Sequence, residues 1–372
     1  MSNIIEYIEN EMDDIQIKAF SVVDSLVLSQ LSYVNFENVV PDILDGAQPV
    51  RIRDLLKAEM FDSILHNVRD VASNRRLLFA LAASPRFRNI KMNYYTNKVD
   101  FELEKQFSAV TYQLEDGTAY IAYRGTDAYV VGWKEDFNMA FISPVPSQEE
   151  GVKYLNTIAE LIPGDLRIGG HSKGGNIAVY SAMKCSASAQ GRIIDVFSHD
   201  GPGFKEGVLQ SPEFINIQNR VHKTLPQSSM IGMLLQNQEN YSVVESTRFG
   251  IMQHDPFSWY IENDDFRYAK NITSGASYMH KTLNQWLSAM TDEKREMFVD
   301  TLFQILGATD AVTVNELTED WQKCALAMLG AIKNIDSETR KIVAKTITEL
   351  VKLSFKNLHN SKNIFANPIF AK

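Results

Sequence analysis

Apolar residues recur every three to four positions through residues 13–76, as in FSVVDSLVLSQLSY and RIRDLLKAEMFDSILHNVRDV, which predicts helices with a loop at 35–41. At FSAVTYQLEDGTAYIAYRG the period changes. Two β-rich runs flank the turn dipeptide Asp116-Gly117, so a hairpin is expected and sheet structure is expected to begin here. Beyond it, QEEGVKYLNTIAELI has helical spacing, DLRIGG reads as a short strand, a helix runs on through Met183, and RIIDVFS reads as the next strand. Strand, helix, strand in this order predicts parallel pairing, and with it an α/β sheet with helices on both faces.

From Thr282 the helical period returns. TDEKREMFVDTLFQILG stops at Gly307, Leu317, Trp321, Cys324, Met328 and Ile332 follow at spacings of three and four, and Ser337 opens a further helix toward Leu358. The expected organisation is a helical N-terminal segment over 1–76 packed on the core, an α/β core over 77–285, and a helical C-terminal appendage over 286–372. No internal repeat or low-complexity segment interrupts it.

Composition narrows the function classes. The 372 residues are 45% hydrophobic and 22% charged, with 46 carboxylates against 37 Lys and Arg and a formal net charge of -9. Such a balance argues against nucleic acid as a partner and against attachment to an anionic membrane by charge. Cys185 and Cys324 lie far apart in helical patterns, which fits buried, reduced thiols. The acidic start MSNIIEYIENEMDD has no signal-peptide pattern and no apolar run reaches the ~20 residues that span a bilayer, so the expectation is a soluble, cytoplasmic protein with no integral membrane segment. His, Cys and carboxylates show no ligand spacing, so neither metal nor cofactor is expected.

The chemistry concentrates at RIGGHSKGGNIAVY. Gly170-His171-Ser172-Lys173-Gly174 is a G-x-S-x-G pentapeptide between an apolar strand and a helical run, the context in which a serine is held on a sharp turn with its hydroxyl exposed. A helix starting after the serine would aim the Lys173 N–H at the space beside that hydroxyl. A serine that only caps the helix is the alternative. An activated serine needs a second oxyanion donor, a base and an acid. The β-run 119–123 ends in Arg124-Gly125-Thr126-Asp127, which puts candidate backbone donors at the strand's C-terminal end. Chain order selects a base downstream of the serine, and His254, in GIMQHDPFSW, stands in a loop-like, aromatic segment. His171, inside the turn, is expected to pack. For the acid, Asp200 ends the strand at HDGPGF, while Asp195, Glu239, Glu245 and Asp255 are also eligible by order. The side chain of Lys173 could be solvated, and Met230 and Met233 could line an acyl pocket or belong to the core.

Taken together, YRGTD with GWKEDF, and GGHSKGGNIA, resemble the oxyanion loop and nucleophile elbow of the class 3 lipases among the α/β-hydrolases. The combination of QFSAV, YRGTD, GWKEDFNMAF, GGHSKGGN, HDGPGF, MQHDPFSW and the early DSLVLSQLSYVNF is similar to a bacterial family of lipase-like α/β-hydrolases without an established substrate, over residues 23–287. The resemblance implies an α/β-hydrolase fold, nucleophile Ser172, base His254, and oxyanion donors at Lys173 and around Thr126. The expected activity is cleavage of an acyl ester or lipid, with Gly125 and Asp127 beside the substrate, and a non-catalytic binding protein that keeps the hydrolase shell or an acyltransferase is the alternative. One departure stands out. Where those lipases carry their acid, this chain has Ser228 and Ser229, which leaves Asp200 favoured, with Glu245 or a bare Ser-His dyad as alternatives.

Overall fold

In the computed structural model, residues 2–307 are described apart from 45–47, 128–129, 140–141, 206, 230, 236–239 and 289–290, together with Ser337. Two compact units divide the chain, Met1–Ile272 and Thr273–Lys372. The strands are β1 Val50–Arg51, β2 Lys91–Asp100, β3 Lys105–Gln113, β4 Ala119–Tyr123, β5 Leu166–His171, β6 Ile193–His199, β7 Val221–Pro226, β8 Ser242–Val244, β9 Ile261–Glu262, β10 Asp265–Phe266 and β11 Tyr268–Ala269. Among the described residues, β1 to β8 lie side by side in chain order and β11 closes the row, while β9 and β10 pair separately. Pairing is antiparallel from β1 to β4, parallel from β4 through β8, and antiparallel again between β8 and β11.

The helices of the first unit are α1 Ile4–Asn10, α2 Val22–Leu31, α3 Phe61–Ile64, α4 Val71–Ala83, α5 Val130–Asn138, α6 Pro146–Leu161, α7 Lys173–Lys184, α8 Ala187–Arg192 and α9 Pro212–Ile215. The second unit carries α10 Ser274–Ser288 and α11 Asp292–Gly307. The expected helix from Ser337 and the heptad-like run around Cys324 fall outside the described residues, apart from Ser337 itself.

Alternation along the strands sorts side chains into two cores. Val110, Tyr112, Tyr120 and Ala122 join the residues of α1, α2 and α4 on one face, whereas Phe107, Ala109, Ile121 and Tyr123 join α6 and α7 on the other. The helices on both faces of this mixed sheet thus follow from period-two apolar runs that face inward on both sides. Starting at a Ser21 capping box with Asp24, α2 is buried along nearly its whole length. Its polar groups are paired: Arg86 donates to both carboxylate oxygens of Asp24, at 2.8 and 2.5 Å, and Ser29 hydrogen-bonds Tyr120 at 2.7 Å.

Sheet structure begins earlier than the hairpin that the sequence marks. Both β1 and β2 precede it, and β2 hides in KMNYYTNKVD because a register shift between Asn93 and Thr96 breaks the alternation. Met92 and Tyr95, three residues apart, consequently enter the same core. The turn at Asp116-Gly117 does join β3 to β4, with Gly117 at φ 83°.

Candidate active site

The C-terminal ends of β4, β5 and β6 converge on Ser172. Its backbone, at φ 57° and ψ -132°, occupies a region that L-residues rarely enter, and it stands as the residue before the first turn of α7. The turn is pinned from both sides: Ser172 N–H donates to the carbonyl of His199 at 2.9 Å, and its own carbonyl accepts from Gly175 N–H at 2.9 Å. Flanking glycines are required by proximity. A Cβ on Gly174 would lie 2.0 Å from the Tyr123 carbonyl oxygen, and one on Gly170 would lie 2.4 Å from the backbone of Gly174. Because these neighbours are backbone and cannot swing aside, Gly174→Ala is expected to destabilise the protein by about 1–3 kcal/mol. A urea midpoint unchanged from wild type would contradict this close packing.

Asp200 and His254 come together although 54 residues separate them. His254 Nδ1 lies 2.6 Å from Asp200 Oδ2. The other oxygen, Oδ1, accepts from Ser229 Oγ at 2.5 Å and from Gly232 N–H at 3.2 Å. Ser229, standing where the resemblance points to an acid, therefore hydrogen-bonds Asp200, the candidate acid at the end of the preceding strand. Asp200 has a positive φ of 49° and is fully buried, while the His254 side chain keeps 20% of its surface exposed. The other candidate acids are engaged elsewhere: Asp195 with Arg167 and His222, Glu245 with Arg267, and Asp255 with Arg248. Glu239 lies outside the described residues. The hydroxyl of Ser172 makes no hydrogen bond among the described residues, so the Asp200–His254 contact is formed and the Ser172–His254 contact is not.

His171 packs inside the turn, and it also holds the segment that carries His254. Its ring lies 4.4 Å from the His254 ring, and its Nε2 is 2.8 Å from the His254 carbonyl. A carbonyl only accepts, so Nε2 carries the proton and the bare Nδ1 receives the Tyr33 hydroxyl at 3.0 Å. Tyr33 is missed by sequence reasoning, and its hydroxyl occupies the space that a Cβ on Gly125 would enter, 2.2 Å away. His199 is likewise enclosed, between Ser25 Oγ and Thr224 Oγ1 at 2.7 Å each.

Burial, followed by the neighbouring His254, holds the His171 imidazole well below its ordinary value, and burial pushes His199 down to about 3. Asp136 moves the other way, raised by burial to about 6 against the opposing pull of Lys173 and the Thr126 hydrogen bond. Below pH 6.5 the unfolded chain binds two histidine protons that the folded one refuses. Between about pH 4 and 6 the folded chain holds one extra proton on Asp136. Stability is therefore expected to fall as pH drops through this window, the two buried histidines outweighing the one raised carboxyl. Urea midpoints at pH 7, 6 and 5 check the sign; a midpoint that rises on acidification would contradict it.

The two candidate oxyanion segments, the start of α7 and the loop after β4, meet at the same strand ends. Lys173 N–H, at the start of α7, has no acceptor among the described residues, and neither has Thr126 N–H. Thr126 Oγ1 donates to Asp136 Oδ2 at 2.5 Å, which ties the loop to α5. Asp127 pairs with Arg124 at 2.9 Å, and a Cβ on Gly125 would come to 3.1 Å from Ser172 Cβ. The side chain of Lys173 is not solvated. It is 1% exposed and paired with Glu135 at 3.0 Å, an arrangement that no local pattern announces. Lys223, on β7 beside the acid, is also buried; burial lowers its ammonium to about 7, with the Asp200 carboxylate pulling back. Met233 is buried, and Met230 lies outside the described residues. Cys185 is a free thiol pushed up to about 11 by burial, which keeps it unreactive. Among the described residues, no group of His, Cys, Asp and Glu could hold a metal ion, and no helix is long and apolar enough to cross a membrane.

The parallel strands β4 to β8, with a strained serine between β5 and α7 and helices on both faces of the sheet, define an α/β-hydrolase-type fold. A family model described as Mbeg1-like matches residues 81–304, more than half of the chain. The protein belongs to the Mbeg1-like family. No curated protein matches it. Among solved structures, it is similar to M37 lipase at 14% identity, with 57% of this chain and 70% of that one covered and a TM-score of 0.37.

Proposed function

We propose that the protein is a serine hydrolase that cleaves an acyl ester or lipid through an acyl-enzyme on Ser172. The observation that carries this reading is the buried carboxylate of Asp200 against His254 Nδ1, on the strand end next to the strained serine. With Nδ1–H directed at the carboxylate, His254 Nε2 is the bare nitrogen and can act as a base. Ser172 Oγ attacks the acyl carbonyl while His254 Nε2 takes its proton. The N–H groups of Lys173 and Thr126 receive the developing oxyanion. Collapse expels the alcohol, which takes the proton back from His254, and water repeats the two steps to release the acid and free the serine.

A second reading, a ligand-binding protein that retains the hydrolase shell, has one observation in its favour: the Ser172 hydroxyl has no hydrogen-bond partner among the described residues. Catalytic hydrogen bonds are often long before substrate binds, which favours the hydrolase. p-Nitrophenyl esters of graded acyl length separate the two. Saturable turnover with a chain-length optimum is the expected result. Rates equal to the spontaneous background across the series, in folded protein, would leave the binding reading.

A further inference from the structure

GWKEDF holds two adjacent acids in α5, and only Asp136 touches the oxyanion loop. Its neighbour Glu135 is fully buried. Glu135 Oε2 accepts from Lys173 Nζ at 3.0 Å and from Gln106 N–H at 3.1 Å, while Oε1 accepts from Ser147 N–H at 2.8 Å. Lys173 Nζ also donates to the Gln106 carbonyl at 3.0 Å. A buried lysine immediately after the serine thus runs down into a cage made of α5, the start of β3 and the start of α6.

Burying both charges costs several kcal/mol per ion, and neutral polar side chains could satisfy the Gln106 and Ser147 backbone groups of the cage, so filling the cage does not by itself account for the ion pair. Its position does. Lys173 supplies one oxyanion N–H and Thr126 the other, and the two side chains end on consecutive residues of a single helical turn.

We infer that Glu135 is a positioning residue for the oxyanion hole. Through Lys173 Nζ it fixes the first turn of α7, and through its place beside Asp136 it fixes that turn relative to Thr126, so that both N–H groups converge on one point. This role rests on Ser172 acting as the nucleophile. An oxyanion hole acts on the transition state more than on bound substrate, so its misalignment lowers kcat and leaves KM nearly unchanged.

The test compares wild type with Lys173→Met, Glu135→Gln and the neutral double variant Lys173→Met/Glu135→Gln. Turnover of a p-nitrophenyl ester, the rate of labelling by a fluorophosphonate and the melting temperature are measured for each. Lys173→Met and the double variant are expected to lose about 10- to 100-fold in kcat and in labelling rate, with KM within about twofold of wild type. The double variant, free of an unpaired buried charge, should regain melting temperature without regaining kcat. Glu135→Gln keeps one acceptor for Nζ but leaves the ammonium without its counter-charge and turns the amide NH₂ on the Ser147 N–H, so the neutral double variant is the guard against a failure to fold; in folded Glu135→Gln a loss of roughly three- to tenfold in kcat is expected. Wild-type kcat and labelling in the folded variants would overturn the positioning role alone. A wild-type protein that neither turns over ester nor takes label would remove the nucleophile, and the positioning role with it.

Discussion

Ser172→Ala is expected to abolish ester hydrolysis, lowering kcat by about 10⁵- to 10⁶-fold, with the protein still folded. The size follows from the pathway: without Oγ no acyl-enzyme can form, and what remains is water attack assisted by the oxyanion N–H groups. Stability should change little or rise. Ser172 is 9% exposed and its hydroxyl has no hydrogen-bond partner among the described residues, so alanine forfeits no hydrogen bond there. The positive φ of 57° remains strained with either side chain. Residual activity above about 1% in the alanine variant would move the nucleophile elsewhere.

Asp200→Asn is expected to cost about 10⁴-fold in kcat through the proton on His254. The geometry around the carboxylate determines which way the amide turns. Oδ1 accepts from both Ser229 and the Gly232 N–H, so the amide oxygen must take that side, and the amide NH₂ then faces His254 Nδ1. An amide donor at Nδ1 forces the proton of the neutral imidazole onto Nε2, the atom that should receive the serine proton. Burial of the site and its hydrogen bonds remain, so the variant should fold. A loss smaller than about tenfold, with normal unfolding behaviour, would assign the base to a group other than His254.

Much of this arrangement is legible in the sequence where its causes are local. The serine turn shows because a strand, two glycines and a helix start must occupy adjacent positions, and Asp200 shows because it ends a strand next to that turn. Asp116-Gly117 marks its hairpin for the same reason. What escapes the sequence is set by register and by distance along the chain. The bulge in β2 hides a ten-residue strand, since Met92 and Tyr95 share a face only after the alternation has slipped. Tyr33 reaches His171 across 138 positions, and Glu135 reaches Lys173 across 38. A lysine beside a nucleophile looks like a surface residue until the acid that buries with it is known. Ser229 illustrates a subtler case: at the place where the resemblance points to an acid the chain has a serine, and that serine donates to Asp200, the candidate acid at the end of β6.

The most direct measurement is intact mass after exposure to a fluorophosphonate, for wild type, Ser172→Ala and His254→Ala. One adduct on the wild type, absent from Ser172→Ala and slowed at least a hundredfold in His254→Ala, is the predicted result, because phosphonylation needs both the hydroxyl and its base. A folded wild-type protein that takes no label, or an adduct that persists in Ser172→Ala, would contradict it.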